Sequence, residues 1–134
     1  MNTNKKVLII GAGLAGSDAA YFLAENGVDV VLAEVKKLKK GPAQSLSTFG
    51  ELVCTNSLKS MDPNSGHGLL KYEMEHFNSL VLKCGKKHAV PAGSALAVDR
   101  ISFSKEISII LETHPKITVI HQDVSDPISL AKMH

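Results

Sequence analysis

The sequence predicts an α/β fold built on a parallel sheet, and three observations carry that prediction. Val7–Ile10 is an unbroken apolar run, the pattern of a strand buried on both faces of a parallel sheet. It leads directly into Gly11-Ala12-Gly13-Leu14-Ala15-Gly16, a G-x-G-x-x-G. A second apolar run, Val28–Ala33, ends on an acid, Glu34, 23 residues after the first glycine. A glycine motif alone is a weak signal. Between two strands, opening a helix and followed by an acid at this distance, it reads as a dinucleotide-binding fingerprint of the Rossmann type.

Each glycine of the motif has a separate task. Gly11 makes the tight turn, Gly13 lets a pyrophosphate approach the backbone, and Gly16 lets the helix sit close to the strand. Apolar Ala15, Ala19, Phe22 and Leu23 then recur at helical spacing and define one face. Asn26-Gly27 ends that helix, with glycine in the left-handed position after it. The helix start offers free N–H groups and a positive dipole to a pyrophosphate. Glu34 is expected to accept hydrogen bonds from the adenosine ribose and to repel a 2′-phosphate. The motif does not separate FAD from NAD.

Composition narrows the alternatives. The 134 residues suffice for one domain and one core, with 44% hydrophobic and 21% charged residues. No apolar run approaches the roughly 18 residues of a membrane span. Val7–Ile10 is too short for a secretory h-region, so a cytoplasmic, membrane-free protein is expected. Cys54 and Cys84 make no disulfide framework, and no Cys/His spacing suggests a metal. A net charge of +2 gives no footprint for DNA or other nucleic acid by itself.

Beyond Glu34, Lys36, Lys37, Lys39 and Lys40 read as a solvated loop, or else place a lysine on the adenosine or phosphate of a cofactor, with Lys36 best placed. GPAQSLST, residues 41–48, is loop by composition, and ELVCTNSLKS, residues 51–60, has no clear period. Asp62–Gly66 is a turn. Gly68–Lys83 reads as one amphipathic helix with Leu70, Met74, Phe77 and Val81 on one face and Leu80 beside it. Cys84 extends that face as a small buried group, and Gly85 caps the end. His67 and His76 read as surface residues. VPAGSALAV, residues 90–98, suggests a short strand, and Asp99 or Ser102 caps the next helix. There Phe103, Ile107, Ile110 and Leu111 form the buried face, and Pro115 ends it. Ile117–Val124 is a third strand. For Cys54, residue chemistry leaves a packed core thiol and a reactive thiol about equally open. Reactivity requires a positive or dipolar neighbourhood, and Lys59 is near in sequence.

Four stretches, IGAGLAGSDAAYFLA, ELVCTNSLKS, GLLKYEM and VPAGSALAVDR, resemble in order and spacing the bacterial folate- and FAD-dependent tRNA (uracil-5-)-methyltransferases. The resemblance runs from Val7 to Val124 and covers the N-terminal third of that family's length. It implies FAD held by Gly11, Ala12, Gly13, Leu14, Ala15, Gly16 and Glu34. It also implies reduction by NAD(P)H, and a one-carbon unit passed from 5,10-methylenetetrahydrofolate to C5 of a uridine in tRNA, or in rRNA for one branch. Cys54 matches a family cysteine near the flavin, where a thiol can remove the C5 proton or guard a flavin adduct. A second family cysteine, assigned as the nucleophile on uracil, lies beyond this chain's match. Two departures stand out. Val35-Lys36-Lys37 replaces the usual Met-Arg-Pro, which exchanges a planar fork for a point charge. Gln44-Ser45-Leu46-Ser47 replaces His-His-Thr-Asp, which removes imidazoles from the expected site and favours the ribosomal branch or relaxed constraint.

A dinucleotide-binding sheet has strand order 3-2-1-4-5-6. Residues 1–134 are expected to supply strands 1 to 3 only, as an incomplete half-domain of order 3-2-1 with an inserted helical segment. Val7–Ile10 then becomes an open edge. The chain is expected to be the N-terminal part of an FAD/NAD(P)-binding domain, weakly stable and inactive alone, with a second chain as one way of completing it. A generic FAD or NAD oxidoreductase domain and an inactive nucleotide-binding fragment are the alternatives.

Overall fold

A computed structural model describes residues 5–134. A parallel sheet of three strands holds the centre: β1 (Val7–Ile10), β2 (Val30–Glu34) and, much later in the chain, β6 (Ile117–His121). Their order is β1-β2-β6, so the sheet is the expected 3-2-1 arrangement. Register runs Val7 opposite Val30 and Val30 opposite Ile117, with all strands parallel. Every residue of β2 is buried, as its unbroken apolar run requires. The second and third strands were expected at 28–33 and 117–124. The chain instead spends Val28 closing the turn, its N–H on the Leu23 carbonyl, and leaves β6 at His121.

Helix α1 (Leu14–Glu25) follows β1 and ends on Asn26, with Gly27 at φ +83° as expected. Its inward face is not the expected one. Ser17, Ala20, Tyr21 and Ala24 are buried, whereas Ala15, Ala19 and Phe22 lie on the exposed side. The helix is apolar on two sides, and periodicity cannot tell which of them meets the sheet. Phe22 instead stacks edge-on against Phe77, ring centroids 6.2 Å apart.

The expected helix 68–83 is two helices, α2 (Gly66–His76) and α3 (Leu80–Lys87). Asn78 adopts φ +56°, a left-handed conformation that asparagine tolerates, and Ser79 caps α3 by accepting from Leu82 N–H. Breaking the helix here separates the expected face: Leu70 and Phe77 are exposed, while Leu80, Val81, Leu82 and Cys84 are buried. Gly85 is not a cap. It lies within α3, where a Cβ would stand 2.9 Å from Leu58 Cδ1. His67 and His76 are on the surface, as expected. Lys71 is buried on α2 and donates to the Ser60 and His67 carbonyls, and burial pushes its ammonium pKa down.

A second sheet is antiparallel, with order β3-β5-β4: β3 (Ser57–Ser60), β4 (Ala89–Val90) and β5 (Ala95–Val98). Thus the single strand expected in 90–98 is a hairpin, and ELVCTNSLKS contributes a strand. A bulge hides the alternation of that strand, with Lys59 at φ +69°. Helix α4 (Arg100–Thr113) is capped by Asp99, which accepts from Ser102 N–H at 2.8 Å. Phe103, Ile107 and Leu111 are fully buried, and Ile110 packs at the margin. Helix α5 (Pro127–Met133), capped by Asp126, was not anticipated.

The core joins these layers through Leu32, Leu80, Val98, Phe103, Ile107 and Leu111. Each large side chain buried there contributes about 1.5–3 kcal/mol. Asp18 ties α1 to α3 by accepting from Ser79 Oγ at 2.6 Å and Val81 N–H at 3.0 Å. Replacing Asp18 with alanine leaves that amide and hydroxyl without their acceptor and is expected to cost about 1–3 kcal/mol, read as a lower urea midpoint at unchanged slope. An unchanged midpoint would remove Asp18 from the clasp.

β1 pairs with β2 alone among the described residues, and Ile10 is 49% exposed. The expected open edge is therefore present, along the strand that carries the glycine loop.

Candidate functional site

The glycine loop bridges β1 and α1. Gly11 has φ +95°, and its N–H donates to the Ala33 carbonyl at 2.8 Å, which ties the turn to β2. Gly16 is pressed onto the turn, so that an added Cβ would be driven into the Gly11 carbonyl, 3.0 Å from its carbon. Gly13 is the opposite case. It stands at the start of α1 with extended backbone, and a Cβ there meets nothing within 4 Å.

That open space adjoins an uncapped helix. Side chains cap α2, α3, α4 and α5, from Ser65, Ser79, Asp99 and Asp126. The N-cap of α1 is Gly13, which provides no such cap. The first-turn N–H groups of α1 and its positive dipole therefore face the gap left by the missing side chain, an arrangement suited to a phosphate.

Glu34 closes the other side. It is 7% exposed, and its two oxygens hold backbone amides: Oε2 accepts from Ala12 N–H at 2.6 Å and Oε1 from Lys36 N–H at 2.8 Å. A carboxylate has about four acceptor positions, so two remain for ribose hydroxyls. The residues present fit a dinucleotide: open space beside Gly13 at an uncapped helix start, and an acid across the turn.

Lys36 has a different surrounding from the one its place in the sequence suggests. The side chain is buried, and its ammonium donates to the Thr48 carbonyl at 2.8 Å and to Glu51 Oε2 at 2.9 Å. Lys37, Lys39 and Lys40 are exposed, as a solvated loop requires.

Glu51 is the residue that sequence reasoning missed. Its side chain is 4% exposed. Burial raises its pKa, but donors from Ser45 N–H, Lys36, Leu46 N–H and Ser45 Oγ outweigh that and hold it at about 2. Ser104 and Ser108 were missed as well. One turn apart on α4, they hold the segment before Glu51: Ser104 Oγ lies 2.8 Å from Thr48 Oγ1, and Ser108 Oγ accepts from Phe49 N–H at 2.7 Å. Serines at i and i+4 inside an otherwise apolar helix face were the available signal.

Gly50 then returns the chain to the glycine loop, its N–H donating to the Ala12 carbonyl at 2.8 Å. Cys54 follows four residues later, and four residues extend at most about 14 Å. Its thiol is exposed, so it is not the packed core thiol of the two sequence alternatives. Cys84 is the buried one. Burial, and to a lesser degree Glu106, raise its pKa to about 11. No helix among the described residues is long and apolar enough to cross a membrane.

Comparison with known proteins agrees with the motif resemblance. A protein from Desulfotalea psychrophila named methylenetetrahydrofolate–tRNA-(uracil-5-)-methyltransferase TrmFO is 51% identical over 125 residues, 93% of this chain and 28% of that protein. The protein of the same name from Acholeplasma laidlawii is 52% identical over 119 residues, 89% of this chain and 28% of its own length. TrmFO 2 of Mycoplasma mycoides subsp. mycoides is 50% identical over 122 residues, again 28% of its length. This chain therefore spans just over a quarter of these relatives. The family model described as glucose inhibited division protein A matches residues 6–132, past the Val124 limit of the motif resemblance. On that match, the chain belongs to the glucose inhibited division protein A family.

Proposed function

We propose that this chain is the FAD-holding N-terminal part of a folate-dependent RNA (uracil-5-)-methyltransferase. The observation that carries the cofactor half of this reading is the uncapped start of α1 facing the space beside Gly13, with Glu34 across the loop. The methyltransferase half rests on the names of relatives about half identical to this chain. In this reading the pyrophosphate is bound at Gly13, Leu14, Ala15 and Gly16, while Gly11 makes the turn and Ala12, its N–H on Glu34, fixes the acid beside it. Glu34 orients the adenosine ribose through its remaining acceptor positions. FAD supplies the redox chemistry that turns a methylene into a methyl group, with NAD(P)H as reductant and methylenetetrahydrofolate as carbon source. In the same reading Cys54 is the thiol that exchanges a proton near that chemistry, a role its exposure supports. The substrate is a uridine in tRNA, with rRNA as the variant that the absent imidazoles at 44–47 favour.

The open edge of β1 favours a second feature of the same reading. An apolar strand with unpaired backbone groups accepts a further parallel strand, from the remaining length of the relatives or from a second polypeptide. Methyl transfer is expected only when that remainder is present.

Titrating FAD into the 134-residue chain, followed by flavin fluorescence, tests the cofactor half. Saturable binding that Glu34→Ala weakens at least tenfold is expected. Binding indifferent to Glu34 would sink the ribose assignment. Adding the remainder of a relative and assaying label transfer from methylenetetrahydrofolate to tRNA and to rRNA tests the rest. Oxidation of a nicotinamide nucleotide with no methylated RNA would favour the plain oxidoreductase.

A further inference from the structure

We propose that Glu51 is a positioning residue that joins the dinucleotide site and the loop between Lys36 and Glu51 into one ordering unit. The inference builds on the reading of Gly11–Gly16 and Glu34 as the cofactor site. Its basis is a closed ring of hydrogen bonds. From Ala12 N–H the ring passes to Glu34 Oε2, and from Glu34 Oε1 to Lys36 N–H. The Lys36 ammonium carries it to Glu51 Oε2. One residue earlier, Gly50 N–H returns it to the carbonyl of the same Ala12. Both ends of the loop thus close on a single residue of the glycine turn.

The other bonds at the loop tip are local ones, from Lys40 Nζ to the Ser45 carbonyl, from Gly41 N–H to Gln44 Oε1 and from Gln44 N–H to the Gly41 carbonyl. Gly41, Pro42, Ala43, Ser45 and Ser47 are exposed, and Leu46 is only half-buried. What fastens the tip is the other oxygen of Glu51, which accepts from Ser45 N–H at 2.9 Å, Ser45 Oγ at 3.0 Å and Leu46 N–H at 3.0 Å. Beyond those local bonds, the tip is tied to Glu51 by one carboxylate oxygen and not by apolar burial. The orientation of Glu34 is set from the loop side through Lys36, and the loop is set from the Glu34 side by the same contacts. Coupling of this kind is reciprocal: whatever stiffens Glu34 stiffens the tip, and loosening the tip weakens what Glu34 holds. The tip carries Gln44 to Ser47, so the ring also decides where those side chains stand relative to the cofactor.

Amide hydrogen exchange on the full 134-residue chain, read residue by residue, tests this without any cofactor. In Glu51→Gln, exchange is expected to quicken about tenfold at Ser45 and Leu46 and also at Ala12, Lys36 and Gly50, while core amides such as Leu32 and Leu111 keep their wild-type rates. Faster exchange confined to Ser45 and Leu46 would overturn the proposal, because Glu51 would then be a staple of the tip alone. Lys36→Arg, which can still reach Glu51 as a cation, is expected to keep the wild-type pattern. If Glu51→Gln fails to fold, Ser45→Ala removes a single donor and is expected to show the same pattern at smaller amplitude. A second arm titrates FAD. Glu51→Gln is expected to weaken binding about tenfold with Gly13 and Glu34 intact, and unchanged affinity would overturn the coupling to the site. Wild-type chain that takes up no FAD would sink the cofactor reading, and the exchange pattern would still decide whether the ring is one unit.

Discussion

Gly16→Ala is expected to cost about 3 kcal/mol or more, among the largest losses any added methyl group could cause in this chain. The added carbon would collide with the Gly11 carbonyl, which is backbone and cannot swing aside. Gly11 cannot yield either, because it sits at φ +95° with its N–H on Ala33. Relief therefore requires α1 to move off the sheet, and α1 brings Ala20, Tyr21 and Ala24 to the core. Gly13→Ala, three positions earlier, is expected to do the reverse. Its Cβ meets nothing, so stability should change by no more than about 1 kcal/mol, the ordinary cost of alanine at a helix N-cap. Yet that carbon would occupy the approach to the first turn of α1, and FAD affinity should fall at least tenfold. Urea midpoints and flavin titrations of the two variants check the pair. A Gly13→Ala chain that binds FAD like wild type would remove the phosphate assignment, and a Gly16→Ala chain of wild-type stability would contradict the packing described.

Lys36→Met is expected to cost about 3–5 kcal/mol, because it leaves the buried Glu51 carboxylate without its cation. The pH dependence gives an independent readout. Glu51 is held at about 2 against an ordinary 4.5. A depressed carboxylate pKa means that the folded state favours the charged form. The stabilisation is full above 4.5 and disappears as pH falls through about 2. Without the Lys36 ammonium the folded pKa rises toward the ordinary value, so the variant has less of this stabilisation to lose. Its stability should flatten between about 2 and 4.5, where wild type still gains with rising pH. Urea midpoints across acid pH measure both effects. Parallel curves for wild type and variant would show that the ion pair does not set the carboxylate's charge.

The parts of the fold that were legible in the sequence are those with a single apolar face or a strict local rule. β2 is buried throughout and reads as an unbroken apolar run. Gly11, Gly16 and Gly27 are glycines at positions where a side chain is excluded by space or by backbone angle. Asp99 caps α4 as its place before the helix suggests. Legibility failed where two answers share one pattern. α1 has apolar residues on two sides, and only the sheet it lies against chooses Ala20 and Ala24 over Ala15 and Ala19. The apolar spacing from Leu70 to Val81 passes straight across Asn78, where the left-handed backbone ends one helix before the next begins. β3 lost its alternation to the bulge at Lys59. In the site, the glycines and Glu34 announce themselves by spacing. Glu51 follows a loop with no period of its own, and only the folded chain brings it to Lys36, 15 residues away in sequence.

The two thiols differ in a way that makes the chain easy to instrument. Cys84 is 1% exposed, and its pKa of about 11 leaves almost no thiolate near neutral pH. Cys54 is open to solvent. A maleimide dye added to unmodified protein should therefore attach at one place, a few residues from the segment tied to Ala12. The chain thus carries its own attachment point for a fluorescent reporter of events at the glycine turn, with no cysteine to remove first.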